Sequence, residues 1–187
     1  IINKNLNCIF KGKIIHVPHH LSHVASSFLC SGLEEAIGLS IDGSGDFSTS
    51  ETYLCKNNEF KLLNKINYPN SLGIFYQAFT QFLGFSNYGD EFKVMGLASY
   101  GKPIFEDKIL KNIISIDRDK FKLNLKYFTH HTSEFSYYFE NGIPVFENLF
   151  SNKISNLFGR PRELNEPINQ FHKDLAASVQ SVFEKAV

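Results

Sequence analysis

The 187-residue sequence predicts an α/β fold with a mixed sheet. Strand-like and helix-like segments alternate over the early part of the chain, which is typical of α/β proteins. A hairpin pattern at 52–55 and 60–66 interrupts this alternation, so part of the sheet is expected to be antiparallel. A long amphipathic helix after Pro167 provides an apolar stripe that can flank the sheet.

Caps, apolar spacing and turn residues define the individual elements. The clearest helix starts after Ser71, where apolar side chains recur at helical spacing from Leu72 to Leu83, and it stops at Gly84. The segment 127–166 has only a weak pattern. The other expected elements are a strand at 13–17, a helix at 20–30 that stops at Gly32, a strand at 36–41, a short apolar run at 92–98, a helix at 105–116 and a strand at 121–125.

Composition argues against several classes of partner. Nineteen basic side chains balance nineteen acidic ones, so no excess charge favours nucleic acid or an anionic membrane surface. No apolar run approaches the length of a membrane span, and the first residues lack the pattern of a signal peptide. Cys8, Cys30 and Cys55 are odd in number and include no CxxC pair, which favours a reducing cytoplasm.

The chain starts without a methionine and stops within a helical pattern. We therefore expect residues 1–187 to be a piece of a longer protein. No internal repeat, low-complexity tract or linker divides them. The expected unit is accordingly part of one domain.

Residue types that ligate metals are concentrated near the first predicted helix. His19 and His23 are four residues apart, so one helical turn places both imidazoles on the same face. Asp42 follows at the end of a predicted strand, where α/β folds place ligands. Two histidines and one carboxylate suit Zn²⁺, Fe²⁺ or Mn²⁺ and leave coordination positions open. The alternative is a set of surface or core histidines without a metal.

The remaining histidines have different expected roles. His20 is adjacent to His19 and points to another side of the helix, so we expect it to support the ligands or to face a substrate. His130, His131 and His172 show no partner pattern and are expected to be structural or surface residues.

The segment Asp42-Gly43-Ser44-Gly45-Asp46 has two interpretations. It is either a tight turn between two strands or a turn whose glycines let backbone amides approach phosphate oxygens. It is not a P-loop, because no GK[ST] follows, and a dinucleotide fingerprint is also absent. A second glycine-rich run at 88–103 contains Glu91 and Lys93, which are either solvated or part of a wall that faces a ligand.

Four motifs in a fixed order resemble the NodU/CmcH carbamoyltransferase family. They are PHHLSHVASSF at 18–28, DGSGD at 42–46, NSLGIFY at 70–76 and the glycine-rich run at 89–103. The helix at 173–180 resembles the family helix that follows, and the similarity is weakest at 127–161. Ser22 stands where the family often has Ala, and Asp46 stands where Glu is frequent. Neither residue belongs to the ligand set.

The resemblance implies an incomplete ASKHA (actin-like ATPase), ribonuclease H-like domain with a mixed sheet and flanking helices. In the family, a separate YrdC-like domain makes carbamoyl-adenylate from carbamoyl phosphate and ATP. The metal-bearing domain then transfers the carbamoyl group to a hydroxyl of a small-molecule or sugar acceptor. The resemblance places the YrdC-like domain and a further Asp ligand outside residues 1–187. A homodimer is compatible with it.

Residue by residue, the resemblance assigns His19, His23 and Asp42 as metal ligands, with Fe²⁺ as the first choice and Zn²⁺ or Mn²⁺ as alternatives. Gly43, Ser44 and Gly45 match the turn near ATP or carbamoyl-adenylate. The acceptor hydroxyl must lose a proton during transfer, and His20 is the candidate catalytic helper for that step.

Two other classes of function remain open at the level of sequence. The first is an enzyme of another class, either a relative of the tRNA threonylcarbamoyl-transferase or an ASKHA phosphotransferase. The second is an inert metal-binding or nucleotide-binding subdomain. Metal-dependent nucleotide binding would separate an intact site from an inert piece.

Overall fold

A computed structural model describes residues 11–132, 136–140 and 142–187 of the chain. Helices and strands both occur within these residues, which confirms the predicted α/β class. All strand pairs among them are antiparallel and form three small sheets. Cys8 lies outside the described residues, whereas Cys30 and Cys55 are free thiols.

The described part of the chain contains six α-helices and seven strands, together with short 3₁₀ turns. The helices are α1 (His19–Ser31), α2 (Leu72–Phe82), α3 (Glu91–Ala98), α4 (Glu106–Asn112), α5 (Ser155–Phe158) and α6 (Gln170–Ala186). The strands are β1 (Glu35–Gly45), β2 (Ser48–Lys56), β3 (Glu59–Asn67), β4 (Ile114–Asp117), β5 (Lys120–Leu123), β6 (Tyr137–Glu140) and β7 (Ile143–Phe146). None of these helices is long and apolar enough to cross a membrane.

The largest sheet has the order β1-β2-β3, and α1 packs on one of its faces. Val24 and Phe28 of α1 share a small buried cluster with Tyr53 and Cys55 of β2. A Cβ at Gly38 of β1 would lie 2.4 Å from the Cγ1 atom of Val24. The absence of a side chain at Gly38 therefore allows the helix to approach the sheet this closely.

The main core forms around α2, which packs against β1 and α6. The α2 helix buries Phe75, Phe79 and Phe82 at the helical spacing that its sequence predicts. Ser71 caps it, since its Oγ accepts a hydrogen bond from the Ile74 N–H. Other fully buried members of this core are Leu72, Ala78, Leu83, Val94, Ile109, Ile113, Leu149, Ile154, Leu175, Ala176, Val179 and Val182.

Most predicted elements are present, and their limits are set by caps. Gly32 ends α1 with a φ of 75°, as its position predicts. The hairpin at 52–55 and 60–66 is confirmed and is longer on both sides. The last helix begins at Gln170 rather than at Pro167, because Asn169 forms its N-terminal cap.

Two predicted elements are wrong or partly wrong. The strand expected at 13–17 is absent from the sheets of the described residues, because no described strand pairs with it. The helix expected at 105–116 ends at Asn112, and Ile114–Asp117 forms a strand instead. That strand pairs with Lys120–Leu123, and this pairing replaces the helical hydrogen bonds of its residues.

Candidate metal centre and adjoining cavity

The side chains of His19, His23 and Asp42 meet at one point, where α1 faces the end of β1. The Nε2 atom of His19 lies 2.7 Å from Oδ2 of Asp42 and 3.1 Å from Nε2 of His23. The third distance, from Nε2 of His23 to Oδ2 of Asp42, is 3.7 Å. The predicted face of α1 and the predicted strand end therefore do come together.

These distances fit a divalent cation held by nitrogen and oxygen donors. Ligand atoms about 2.1 Å from a metal lie about 3.0–3.4 Å from one another in octahedral or tetrahedral geometry. The three distances observed between the ligand atoms, 2.7, 3.1 and 3.7 Å, lie on both sides of that range. All three side chains are part-exposed, between 37% and 58%, so an ion and a substrate can reach them.

The start of α1 is fixed so that His19 faces Asp42. The N–H of His19 donates to Oδ2 of Asp46 at 2.8 Å, which ties the first helical residue to the turn after β1. Behind the ring lies Gly45, where a Cβ would be 2.1 Å from the Cδ2 atom of His19. Gly45 therefore leaves room for the imidazole, which is a packing reason for a glycine at this position.

The end of β1 is held from the other side by α2. The Oγ atom of Ser71 donates to the backbone oxygen of Asp42 at 3.0 Å while it caps α2. Gly73 lies directly against this strand end, because a Cβ there would be 2.7 Å from the Gly43 nitrogen. The register of β1 with β2 also breaks between Ile41 and Gly45. Asp42 thus projects from an irregular strand end that α2 holds in place.

The three predicted phosphate-turn residues have different environments. The N–H of Gly43 donates to Oδ1 of Asp42 at 2.7 Å, so it orients the carboxylate. Ser44 is exposed and lines a cavity beside Asp42, whereas Gly45 is buried behind His19. A Cβ at Gly43 would meet no atom within 4 Å, so the fold itself does not require glycine there. Nucleotide binding by residues 43–45 stays a prediction.

His20 lies on the interior side of α1. Its side chain is 1% exposed, and its Nδ1 atom is 2.7 Å from Oγ of Ser40 in β1. Its Nε2 atom is buried and has no hydrogen-bond partner among the described residues. The ring therefore packs between helix and sheet, behind the cluster of His19, His23 and Asp42. A part for His20 in catalysis stays a prediction.

The glycine-rich run at 88–103 is divided between two neighbours. Gly89 and Glu91 line the cavity beside Asp42, while Lys93 pairs with Asp90 at 2.7 Å. Gly101 packs against α6, because a Cβ at Gly101 would be 2.0 Å from the backbone oxygen of Lys173. One end of this run therefore faces the site, and the other end packs against a helix.

A cavity of about 510 Å³ adjoins the cluster and opens beside Asp42, Gly43 and Ser44. Its wall includes the aromatic side chains of Tyr68, Tyr88, Tyr137 and Phe146, with the polar side chains of Gln77, Glu91 and His130. A largely apolar wall with few polar groups is typical of small-molecule sites. Sequence reasoning did not find His130 or the aromatic residues of this wall, because they come from segments far apart in the chain.

The sequence as a whole has clear relatives. The family model described as "Carbamoyltransferase N-terminus" matches residues 1–187. The chain belongs to the carbamoyltransferase N-terminus family. This finding confirms the resemblance drawn from the four motifs.

Proteins similar to this chain occur in bacteria. The chain is 33% identical over 178 residues to the nodulation protein NolNO of Sinorhizobium fredii, covering 94% of this chain and 22% of that protein. It is 28% identical over 170 residues to the nodulation protein NolO of Bradyrhizobium diazoefficiens, covering 90% and 27%. An uncharacterized protein of Synechocystis sp. is 39% identical over 171 residues, covering 90% and 26%. The chain thus spans about a quarter of the length of these relatives.

In this carbamoyltransferase domain, Gly45→Ala is expected to weaken metal binding without removing a ligand. The new methyl group would overlap the ring of His19, so the imidazole must leave its position beside Asp42. Groups that only orient a ligand typically change metal affinity by about 10–100-fold. Titration of Zn²⁺ against a chelator would measure the loss, and an unchanged affinity would contradict the packing role of Gly45.

Proposed function

We propose that this chain forms the metal-binding part of an O-carbamoyltransferase. The reaction moves a carbamoyl group from carbamoyl-adenylate, made from carbamoyl phosphate and ATP, to a hydroxyl of a small-molecule or sugar acceptor. The convergence of His19, His23 and Asp42 in a member of this family carries the proposal. The cytoplasm is the proposed location.

His19, His23 and Asp42 would hold the metal through two imidazole nitrogens and one carboxylate oxygen. We propose Fe²⁺, with Zn²⁺ or Mn²⁺ as alternatives, since this donor set suits each of them. A bound cation would supply positive charge where a carbonyl is polarised or a phosphate is neutralised. Gly43 keeps the carboxylate of Asp42 turned toward the two histidines through its N–H.

The cavity beside the cluster is the proposed place for the reacting molecules. Its wall starts at Asp42 and Ser44, so a phosphate or carbamoyl group near the ligands can extend into it. The aromatic wall excludes water from one side of such a molecule, and Gln77 and Glu91 can hydrogen bond to it. The role proposed for these residues is to position the substrates rather than to react.

Calorimetry with ATP tests this proposal on the 187-residue chain. We expect ATP to bind when Zn²⁺ fills the site and to bind far more weakly to the metal-free chain. Gly43→Ala keeps the backbone N–H but is expected to lower the affinity for ATP, because its methyl group would obstruct the close approach of a phosphate to the backbone of residues 43–45. The fold has space for this methyl group, so the free energy of unfolding should not fall.

The opposite results have clear meanings. Equal affinity for ATP with and without Zn²⁺ would contradict a shared metal and nucleotide site. Binding of Zn²⁺ without any binding of ATP would support the alternative of an inert metal-binding subdomain.

A further inference from the structure

A buried histidine in the cavity wall has one ring nitrogen that finds no partner in the described part of the chain. His130 is 4% exposed and lines the cavity next to Asp42 and Ser44. Its Nε2 atom is 2.9 Å from the backbone oxygen of Pro69. Its Nδ1 atom is buried and has no hydrogen-bond partner among the described residues. Buried polar atoms are rarely left unpaired, so this nitrogen requires an explanation.

The contact with Pro69 determines which ring nitrogen carries the proton. A backbone oxygen only accepts hydrogen bonds, so Nε2 of His130 must be the protonated nitrogen that donates to it. In a neutral imidazole the other nitrogen, Nδ1, then carries a lone pair and accepts. Burial lowers the pKa of His130 below its usual value, and this keeps the ring neutral near pH 7.

The ring is also held in a fixed orientation. The hydroxyl of Tyr68 donates to the backbone oxygen of His130, while the Nε2 atom of His130 donates to Pro69. The rings of Tyr68, Phe128 and His131 pack edge-on against the imidazole, with centroids 5.5, 5.8 and 5.6 Å away. Two neighbouring backbone contacts and three rings therefore fix the position of the imidazole and of its Nδ1 atom.

We propose that Nδ1 of His130 accepts a hydrogen bond from an O–H or N–H group of the molecule that occupies this cavity. The inference rests on the proposed function, because it takes the cavity as the place of the substrates. Two substrates carry such donors: the nucleotide, through its ribose hydroxyls or adenine amine, and the hydroxyl-bearing acceptor. His130 is then a residue that positions a substrate and that rejects analogues lacking the donor.

Two substitutions separate this role from a structural one. His130→Gln places an amide near the former Nε2 position, where it can still donate to Pro69, but it removes the acceptor at Nδ1. His130→Asn keeps a hydrogen-bonding atom near Nδ1 and loses the bond to Pro69. His16→Gln is the matched control, since His16 is an exposed histidine that does not line the cavity.

The experiment measures binding of ATP and of a methyl glucoside to the Zn²⁺-loaded chain by calorimetry. We expect His130→Gln to lower the affinity for at least one of the two probes about tenfold. Its thermal stability should stay close to that of the unchanged protein. His130→Asn should bind that probe more tightly than His130→Gln does, although it is less stable. An effect on ATP alone assigns the donor to the nucleotide, and an effect on the glucoside alone assigns it to the acceptor.

A spectroscopic readout is independent of affinity. In ¹⁵N-labelled protein, the Nδ1 resonance of His130 should move when the effective probe binds, as expected of a nitrogen that begins to accept a hydrogen bond. The resonances of the exposed His16 should not move in the same way.

Several results would overturn the inference. If His130→Gln binds both probes with the affinity of the unchanged protein, the proposed contact is excluded. If His130→Asn loses more affinity than His130→Gln, the role of His130 is structural and acts through Pro69. If the unchanged chain binds Zn²⁺ but neither probe, the inference about His130 fails while the metal site stands. If the chain does not bind Zn²⁺, the proposed function fails instead.

Discussion

Replacing both His19 and His23 by alanine is expected to abolish tight binding of divalent metal. These imidazoles supply two of the three donor atoms in the cluster, and Asp42 alone would remain. Loss of groups that merely orient a ligand costs about 10–100-fold in metal affinity, so loss of one ligand should cost at least about 100-fold. Metal content after dialysis shows whether tight binding is lost, and titration of Zn²⁺ against a chelator measures the change in affinity.

The unfolding free energy provides a second readout for the same substitutions. A ligand present at 100 times its dissociation constant stabilises a folded protein by about 2.7 kcal/mol. We expect Zn²⁺ to stabilise the unchanged chain by such an amount and to leave the double variant unaffected. His16→Ala is the matched control, because His16 is an exposed histidine three residues before the cluster. Equal metal content in the unchanged protein and in the double variant would refute the site.

Local sequence signals predicted the two helices and the strand that build this cluster. Pro18 precedes α1 and Gly32 ends it, so the spacing of His19 and His23 could be converted into a shared face. The cap at Ser71 and the apolar spacing after it likewise predicted α2. In each case, a cap and a periodic pattern lie close together in the sequence.

Close approaches of backbone segments could not be predicted in this way. The sequence allows either a tight turn or a phosphate contact for Gly43 and Gly45. Neither interpretation includes the room that Gly45 leaves for the ring of His19 or that Gly73 leaves for β1. Both reasons depend on which segments become neighbours in the folded chain. A glycine in a sequence shows only that a side chain is missing, and the folded structure shows what occupies the space.

The segment 127–166 is difficult to predict because its contacts are distant in sequence. His130 is fixed through Tyr68 and Pro69, about sixty residues earlier. The buried side chain of Arg162 donates to the backbone oxygen of Leu83 at 2.7 Å. This segment is held by contacts between residues far apart in the sequence rather than by long helices or strands. Its apolar residues therefore show little helical or strand periodicity. For the same reason, the sequence around His130 gives no indication that this residue lines the cavity.

The second large effect is expected for Gly73→Ala, a change outside the ligand set. The new Cβ would lie 2.7 Å from the Gly43 nitrogen and 2.9 Å from the backbone oxygen of Asp42. Backbone atoms cannot rotate away, so either α2 or the end of β1 must shift. Overpacking of this kind typically costs about 1–3 kcal/mol of unfolding free energy. A shift of Asp42 should also reduce the affinity for Zn²⁺, by about tenfold or more.

Gly96→Ala is the control that separates this steric effect from the general effect of a helical glycine. Gly96 lies inside α3, and a Cβ there would meet no atom within 4 Å. Alanine should therefore stabilise the protein by about 0.5–1 kcal/mol, because it favours helix more than glycine does. Denaturant unfolding with a common m-value, together with Zn²⁺ titration, compares the two variants. If Gly73→Ala kept both stability and metal affinity, α2 would not be holding Asp42 in position, and the irregular end of β1 would have to be fixed by its own turn.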